Sequence, residues 1–344
     1  MLDIFNNDAF SVNSLTEAIN IVPFVPKRIG AMGLFETKNP RTTIAYIERR
    51  GDIVSLLPTK TRGAGETTKR PARSRDLIPI AIPHVPYDDA VLAADVSGIR
   101  EFDTENQLRM VSGEVTSRLA DMRQDHEVTH EYFRIGAIKG VVKDSDADLS
   151  TLVDLFDALN IAQHEVYFDL ESDGTGIKAV CMDIIQWVED VLGGATYDHV
   201  HGFVGNDFFQ ALIQNEEVKE AYTWQADPRW KIEQQGSGTP GRGTNTVTFG
   251  DVTFENYRGK VGDVDFIEAG DAHFYPVGVP GLFQQHFAPA QTMSDVNTAG
   301  QVVYAQQKPK DWDEGVDIHT ESNPLMLCKR PKLLVLGHSE AASS

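Results

Sequence analysis

His126-Glu127-Val128-Thr129-His130 is the arrangement in this chain with the most chemistry in it. On a helix, residues four apart share a face. Two imidazoles so spaced can bind zinc while the carboxylate between them activates a water, which would be metal-assisted hydrolysis. The surroundings argue otherwise. The flanks Gln124, Asp125 and Glu131 are polar or charged, whereas a catalytic zinc helix is normally buried. The elongated form of the motif fails, because Phe133 stands where a glycine is needed. A third ligand would have to come from Asp154, Asp157 or His164, with no pattern to support it. His126, Glu127 and His130 are therefore read as a decoy: two structural histidines and a carboxylate, with no catalytic residue, metal ligand or cofactor expected.

Two weaker signals stand farther along the chain. His199 and His201 alternate on an expected strand and could share a face, but no carboxylate signature accompanies them to suggest a metal site. Residues 236–244 (GSGTPGRGT) are glycine-rich, yet they lack the Gly-Lys-Ser/Thr of a phosphate-binding loop, and the proline removes one N–H. A surface loop is expected there.

Charge carries a clearer message. Residues 38–75 hold ten Lys/Arg against three acids, a net of +7, in a chain whose formal charge is −20. Unpaired like charges repel, so such a segment needs a partner of opposite sign. Nucleic acid is disfavoured, since Tyr46 is the segment's one aromatic and the rest of the chain, at −27, opposes a polyanion. The acidic body of a second copy needs no further assumption. The expected contact residues are Arg49, Arg50, Lys60, Arg62, Lys69, Arg70, Arg73 and Arg75.

The elements that position these residues follow from pattern. The chain has 344 residues, 41% hydrophobic and 24% charged, which suits one large or two modest folded domains. Cys181 and Cys328 are too few for a disulfide framework and are expected to be small buried hydrophobes in a reducing compartment. No run approaches 18 apolar residues, so a soluble protein made in a cytoplasm is expected. Residues 1–41 form an arm with scattered Phe5, Phe10, Phe24 and Phe35. Residues 42–57 and 74–85 read as the strands of a long hairpin, the second with prolines that suit only an edge. A capping box at Thr104–Gln107 opens a helix running to about 139. Its stripe is Leu108, Val111, Val115, Leu119, Met122, His126, Thr129, Phe133 and Ala137, narrow enough that the helix should lie across a surface. Further helices are expected at 177–192, from Asn206 and near Glu216, with strands at 198–204, 247–249 and 252–257. The whole reads as α+β.

This order resembles the tailed-phage major capsid fold (the Johnson, or Hong-Kong-97-type, fold). More narrowly it is similar to the lambda-type major capsid protein E family. The local matches are IPIAIPHVPYDDAVLAADVSGIR (78–100), HEYFRIGAIKGVV (130–142), GFVGNDFFQALIQNEEVKEAY (202–222), GDAHFYPVGVPGLFQQHFAPA (270–290) and TESNPLMLCKRPKLLVL (320–336). The resemblance implies an N-terminal arm (1–41), an extended E-loop hairpin (42–85), a P domain (86–144) with a spine helix at about 104–139, an A domain with P-domain returns (145–320), and C-terminal P-domain strands and tail (321–344). It implies no active site. It implies hexamers and pentamers closing an icosahedral shell around double-stranded DNA, which is enclosed without sequence-specific binding. Expected partners are other copies of the chain, a scaffolding protein, a portal and a decoration protein, with no membrane. The expected location is the virion, after synthesis in the host cytoplasm. The alternatives are a zinc hydrolase using 126–130 and a non-viral, encapsulin-like nanocompartment shell.

Overall fold

The structure is a computed structural model that describes residues 28–50, 75–97, 107–144, 150–170, 176–224, 234–235, 244–261 and 264–341. Its organising element is the helix Gln107–Lys139, 33 residues long, or about 50 Å at 1.5 Å per residue. Val115, Leu119 and Met122 on this helix pack with Val91, Val303, Ala305 and Ile318 into a small core. Farther along, Phe133, Ile135, Ala137 and Ile138 enter a second, much larger core. The stripe expected from sequence is displaced where it passes between the two cores. His130 is buried there in place of Thr129, whose hydroxyl donates to the Asp125 carbonyl at 3.0 Å on an exposed face.

The end of this helix is covered on all sides, against the expectation of a surface helix. Residues 133–138 are all buried. The short helix Arg28–Met32 packs on one side. The strand Val141–Lys143 folds back on another and pairs antiparallel with Thr151–Asp154. Gly140 makes that reversal possible, with φ at +85° and no room for a side chain. Asp154 then caps the helix Leu155–Leu159, accepting from Phe156 N at 2.9 Å and Asp157 N at 3.0 Å.

Two three-stranded sheets flank the long helix. One joins Val85–Leu92, Gly315–Ser322 and Tyr304–Pro309, all antiparallel. The other joins Phe35–Lys38, Phe283–Phe287 and Pro324–Cys328. The larger core belongs mainly to a mixed seven-stranded sheet. Its strands run in the order His164–Tyr167, Val335–His338, Asp271–Val277, His199–Val204, Val252–Asn256, Thr244–Phe249 and Gln234–Gln235. Phe168, Phe208, Phe254 and Phe274 are fully buried among these elements, with edge-on ring pairs 5.1 to 6.1 Å apart. The helix Ile177–Leu192 buries Ile177, Cys181, Ile184, Val188 and Leu192 at helical spacing. Its first amides have no side-chain cap of their own. Glu217, from the helix Glu216–Trp224, accepts from Ile177 N at 2.6 Å and from Lys178 N at 3.3 Å. Burial pushes the Cys181 and Cys328 thiols up to about 12, so both behave as the small hydrophobes expected.

The expected hairpin is present at its base. Ile44–Arg50 and Arg75–Ala81 pair antiparallel, from Ile44 opposite Ala81 to Arg50 opposite Arg75. Ala45 and Ile80 are buried and join the larger core, so the base is anchored. Residues 51–74 lie outside the described residues, as do 104–106 of the capping box and the glycine-rich stretch 236–243. The strand expected at 74–85 is corrected. It ends at Ala81, and a separate strand begins at Val85, because Pro83 in the break between them has no N–H to continue the ladder. Pro79 and Pro86 both sit on edge strands, where a missing N–H is tolerated.

The glycines at the two ends of the long helix should respond oppositely to a methyl group. At Gly113 an added Cβ would meet nothing within 4 Å. Gly113→Ala should therefore stabilise the subunit by about 0.5–1 kcal/mol. At Gly140 it would lie 2.2 Å from the Phe156 ring in a left-handed backbone. Gly140→Ala should cost about 2 kcal/mol or more. Denaturant unfolding of the isolated subunit measures both.

Candidate functional site

The motif at 126–130 lies where the long helix crosses the strand Gly315–Ser322. His126 Nε2 is 3.0 Å from Thr320 Oγ1, and His130 Nε2 is 2.8 Å from Ser322 Oγ. Each hydroxyl has one proton, and each spends it on a carbonyl: Thr320 on Tyr87 O at 3.2 Å, Ser322 on Val302 O at 2.6 Å. The hydroxyls must therefore accept from the rings, and both Nε2 atoms carry the proton. An Nε2 that donates a hydrogen bond has no lone pair to give a metal, which leaves only the Nδ1 atoms, and that of His130 faces Glu127 on its own helix. Burial pulls His126 down to about 3, and burial likewise lowers His130, so both rings are neutral at physiological pH.

Glu127 is not poised above a water. Burial pushes its carboxyl up, but His130 and Arg123 beside it outweigh this and hold it below the usual range. With His130 neutral and its Nδ1 3.8 Å away, Arg123 at 2.9 Å supplies the charge. Of the third ligands weighed in sequence, Asp154 caps a helix, while His164 stacks on Trp187 at 3.9 Å.

The next helical turn performs a docking task that was invisible in sequence. Glu131 accepts from Ile29 N at 2.7 Å, Gly30 N at 3.1 Å and Tyr257 Oη at 3.3 Å, and pairs with Arg134 at 3.3 Å. The carboxylate thus holds the first turn of the helix Arg28–Met32. Arg28 itself makes a two-pronged contact with Glu255, at 2.5 and 2.7 Å. Burial pushes the Glu255 carboxyl up, but His201, 3.2 Å away, and Arg28 hold it below its usual range. The reading of His199 and His201 is corrected accordingly. Their rings are 6.1 Å apart, but His201 has a buried carboxylate partner from the neighbouring strand. That strand lies parallel and far along the chain, so no local pattern reveals it.

Among the described residues, one group could bring three metal-ligating atoms together: Glu268, Asp271 and His273, within 4.8 Å of one another. Glu268 is already paired with Lys139 at 2.6 Å, and Asp271 with His338 at 3.0 Å.

Three of the expected contact residues are at the described end of the hairpin. Arg49, Arg50 and Arg75 occupy its paired strands, with Arg49 opposite Asp76 and Arg50 opposite Arg75. Lys60, Arg62, Lys69, Arg70 and Arg73 lie outside the described residues.

The buried histidines give the subunit an acid-sensitive seam. The unfolded chain takes up protons near pH 6.5, but folded His126 does not until about 3. Stability should therefore fall as pH drops below about 6.5. For His126 alone this amounts to about 2–3 kcal/mol between pH 6.5 and 4.5. The double variant His126→Gln, His130→Gln keeps a donor toward each hydroxyl and cannot titrate. Thermal unfolding against pH should show a flatter profile for it over that window, whatever its absolute stability.

The chain matches the family described as phage major capsid protein E over residues 11–338. It is 27% identical to the major capsid protein of Salmonella phage Felix O1 (isolate Felix O1-VT1), covering 97% of this chain and 98% of that one. It is also 27% identical to the major capsid protein of Pseudomonas phage KPP10, over 95% and 96% of the two chains. In three dimensions it is similar to the crystal structure of a protein assigned as the capsid protein of an Escherichia coli CFT073 prophage. The TM-score is 0.57 at 12% identity, covering 96% of this chain and 99% of that one. The fold is thus the α+β Johnson capsid fold, and the chain belongs to the phage major capsid protein E family.

Proposed function

We propose that this chain is the repeating subunit of an icosahedral phage head, arranged in hexamers and pentamers around double-stranded DNA. The observation that carries this reading is the collinear match of nearly the whole chain to major capsid proteins. In this reading residues 1–41 are the N-terminal arm and 42–85 the E-loop. Residues 86–144 are the P domain with its spine helix, 145–320 the A domain with returns to the P domain, and 321–344 the closing P-domain strands and tail. The chain is a virion component with a structural role and no catalysis. It is made in the host cytoplasm and assembles with a scaffolding protein, a portal and a decoration protein.

Charge supplies the mechanism. Each copy offers a segment of +7 and a remainder of −27. The basic hairpin of one copy lies over the acidic surface of the next, and the acidic remainder keeps the packaged polyanion from adhering. An exposed ion pair contributes only about 0–1 kcal/mol, so the effect comes from repetition over many contacts and weakens with salt. The zinc-hydrolase alternative is disfavoured by the ring protons donated to Thr320 and Ser322. The nanocompartment alternative is disfavoured by the family match.

The protein co-expressed with its phage's scaffold should give closed shells in negative-stain electron microscopy, with yield falling at high salt. A monomer insensitive to salt, holding one zinc and losing hydrolysis on Glu127→Gln, would overturn the reading. Reversing Arg70, Arg73 and Arg75 together to Glu should lower shell yield at least ten-fold while the subunit's thermal unfolding stays unchanged. Normal shells from that variant would sink the electrostatic docking.

A further inference from the structure

The turn between the strands Tyr304–Pro309 and Gly315–Ser322 reads Lys310-Asp-Trp-Asp-Glu314. Trp312 is 92% exposed. Its backbone is left-handed, with φ at +63° and ψ at 19°, a conformation that a bulky side chain seldom adopts. A loose loop would relax out of it. This turn is braced instead. Lys310 N donates to Gly315 O at 2.9 Å, and Ala93 N donates to Glu314 O at 3.0 Å. Lys310 Nζ pairs with Asp317 Oδ1 at 2.6 Å. Leu92, opposite Gly315 in the ladder, is itself 42% exposed beside the turn. The fold therefore spends backbone strain and three fixed contacts to hold an indole in water, which gains the isolated subunit nothing.

The residues around the indole indicate what covers it. Asp311, Asp313 and Glu314 surround it in sequence, and the turn's cation, Lys310, is already paired with Asp317. An indole face attracts a guanidinium or ammonium group, and flanking carboxylates strengthen that preference. The same three acids repel a polyanion. Resting on the shell reading above, in which every subunit meets others of its kind, the complementary surface is the chain's own +7 segment. We propose that the Trp312 turn is a contact between copies of this chain. A Lys or Arg from residues 38–75 of one copy lies on the Trp312 indole of another, between the carboxylates of its turn.

Assembly with the phage's scaffold tests this, using shell yield by sedimentation and electron microscopy and subunit stability by thermal unfolding. Trp312→Ala should leave unfolding unchanged, because the side chain is exposed, and should lower shell yield at least ten-fold. The pair Asp311→Lys, Glu314→Lys should also assemble poorly, as should the pair Arg73→Glu, Arg75→Glu. Combining all four in one chain restores the charge complement at every contact and should recover at least half of the wild-type yield. Wild-type yield from Trp312→Ala overturns the contact. A defect in Trp312→Ala with no recovery from the four-fold swap overturns the basic segment as its partner and points to a separate decorating protein. If the wild-type chain itself builds no shells, the shell reading fails first and this contact falls with it.

Discussion

A buried polar seam along one helix is the constraint on which the rest of the structure depends. Between residues 123 and 134 the long helix presents Arg123, His126, Glu127, His130, Glu131 and Arg134, all buried. On either side its apolar residues belong to two separate cores. An apolar seam of the same width would fuse the cores and tolerate sliding. A polar one does not, because His126, His130, Glu131 and Arg134 have partners on other elements that a slip of one residue would strand. Paired buried charges add little net stability, since desolvation offsets most of the attraction, whereas removing one partner is costly. The seam thus sets register more than it adds stability. It fixes the helix on Gly315–Ser322 through Thr320 and Ser322, and fixes Arg28–Met32 on the helix through Glu131.

That arrangement ties distant parts of the chain to one place. Arg28 and Glu255 are 227 residues apart, and His126 and Thr320 are 194 apart. Contacts of such range carry a large loop-closure cost, which slows folding. The helix itself avoids that cost, because its own hydrogen bonds are local. The acidic turn at Trp312 and the basic hairpin lie on elements whose bases are anchored, by Ala93 and Glu314 in one case and by Ala45 and Ile80 in the other.

Sequence revealed most of what is local here. The helix Ile177–Leu192 was legible because its apolar residues recur at three and four and Gly193 ends it in a left-handed conformation. The strands Val252–Asn256 and His199–Val204 were legible from β-branched and aromatic runs. The pairing of these two strands, parallel and next to each other, was not, because nothing local marks it. The displacement of the stripe from Thr129 to His130 was missed for a related reason. Periodicity ranks residues by hydrophobicity, and a neutral histidine with a fitted hydroxyl is buried as readily as a leucine. Glu131 reads in sequence as a charged flank, because two of its partners, the Ile29 and Gly30 amides, leave no mark there at all.

The H-E-x-x-H pattern itself has a geometric origin in this fold. Residues four apart on a helix rise about 6 Å, and residues two apart on a strand rise about 6.6 Å. A helix laid along a strand can therefore match i and i+4 to j and j+2, pair by pair. His126 and His130 have ring centroids 6.4 Å apart, and they meet Thr320 and Ser322 in that manner. A zincin helix uses the same spacing for another purpose, pointing two imidazoles at one ion. What separates the cases is where the ring protons go. Here each is donated to a hydroxyl whose own proton is committed to a carbonyl, so the chain His–hydroxyl–carbonyl is complete and directional. Glu127 in turn faces Arg123 on its own helix rather than an open cavity. The spacing is thus a property of helix-on-strand packing, and chemistry follows from it only when the acceptors opposite are absent.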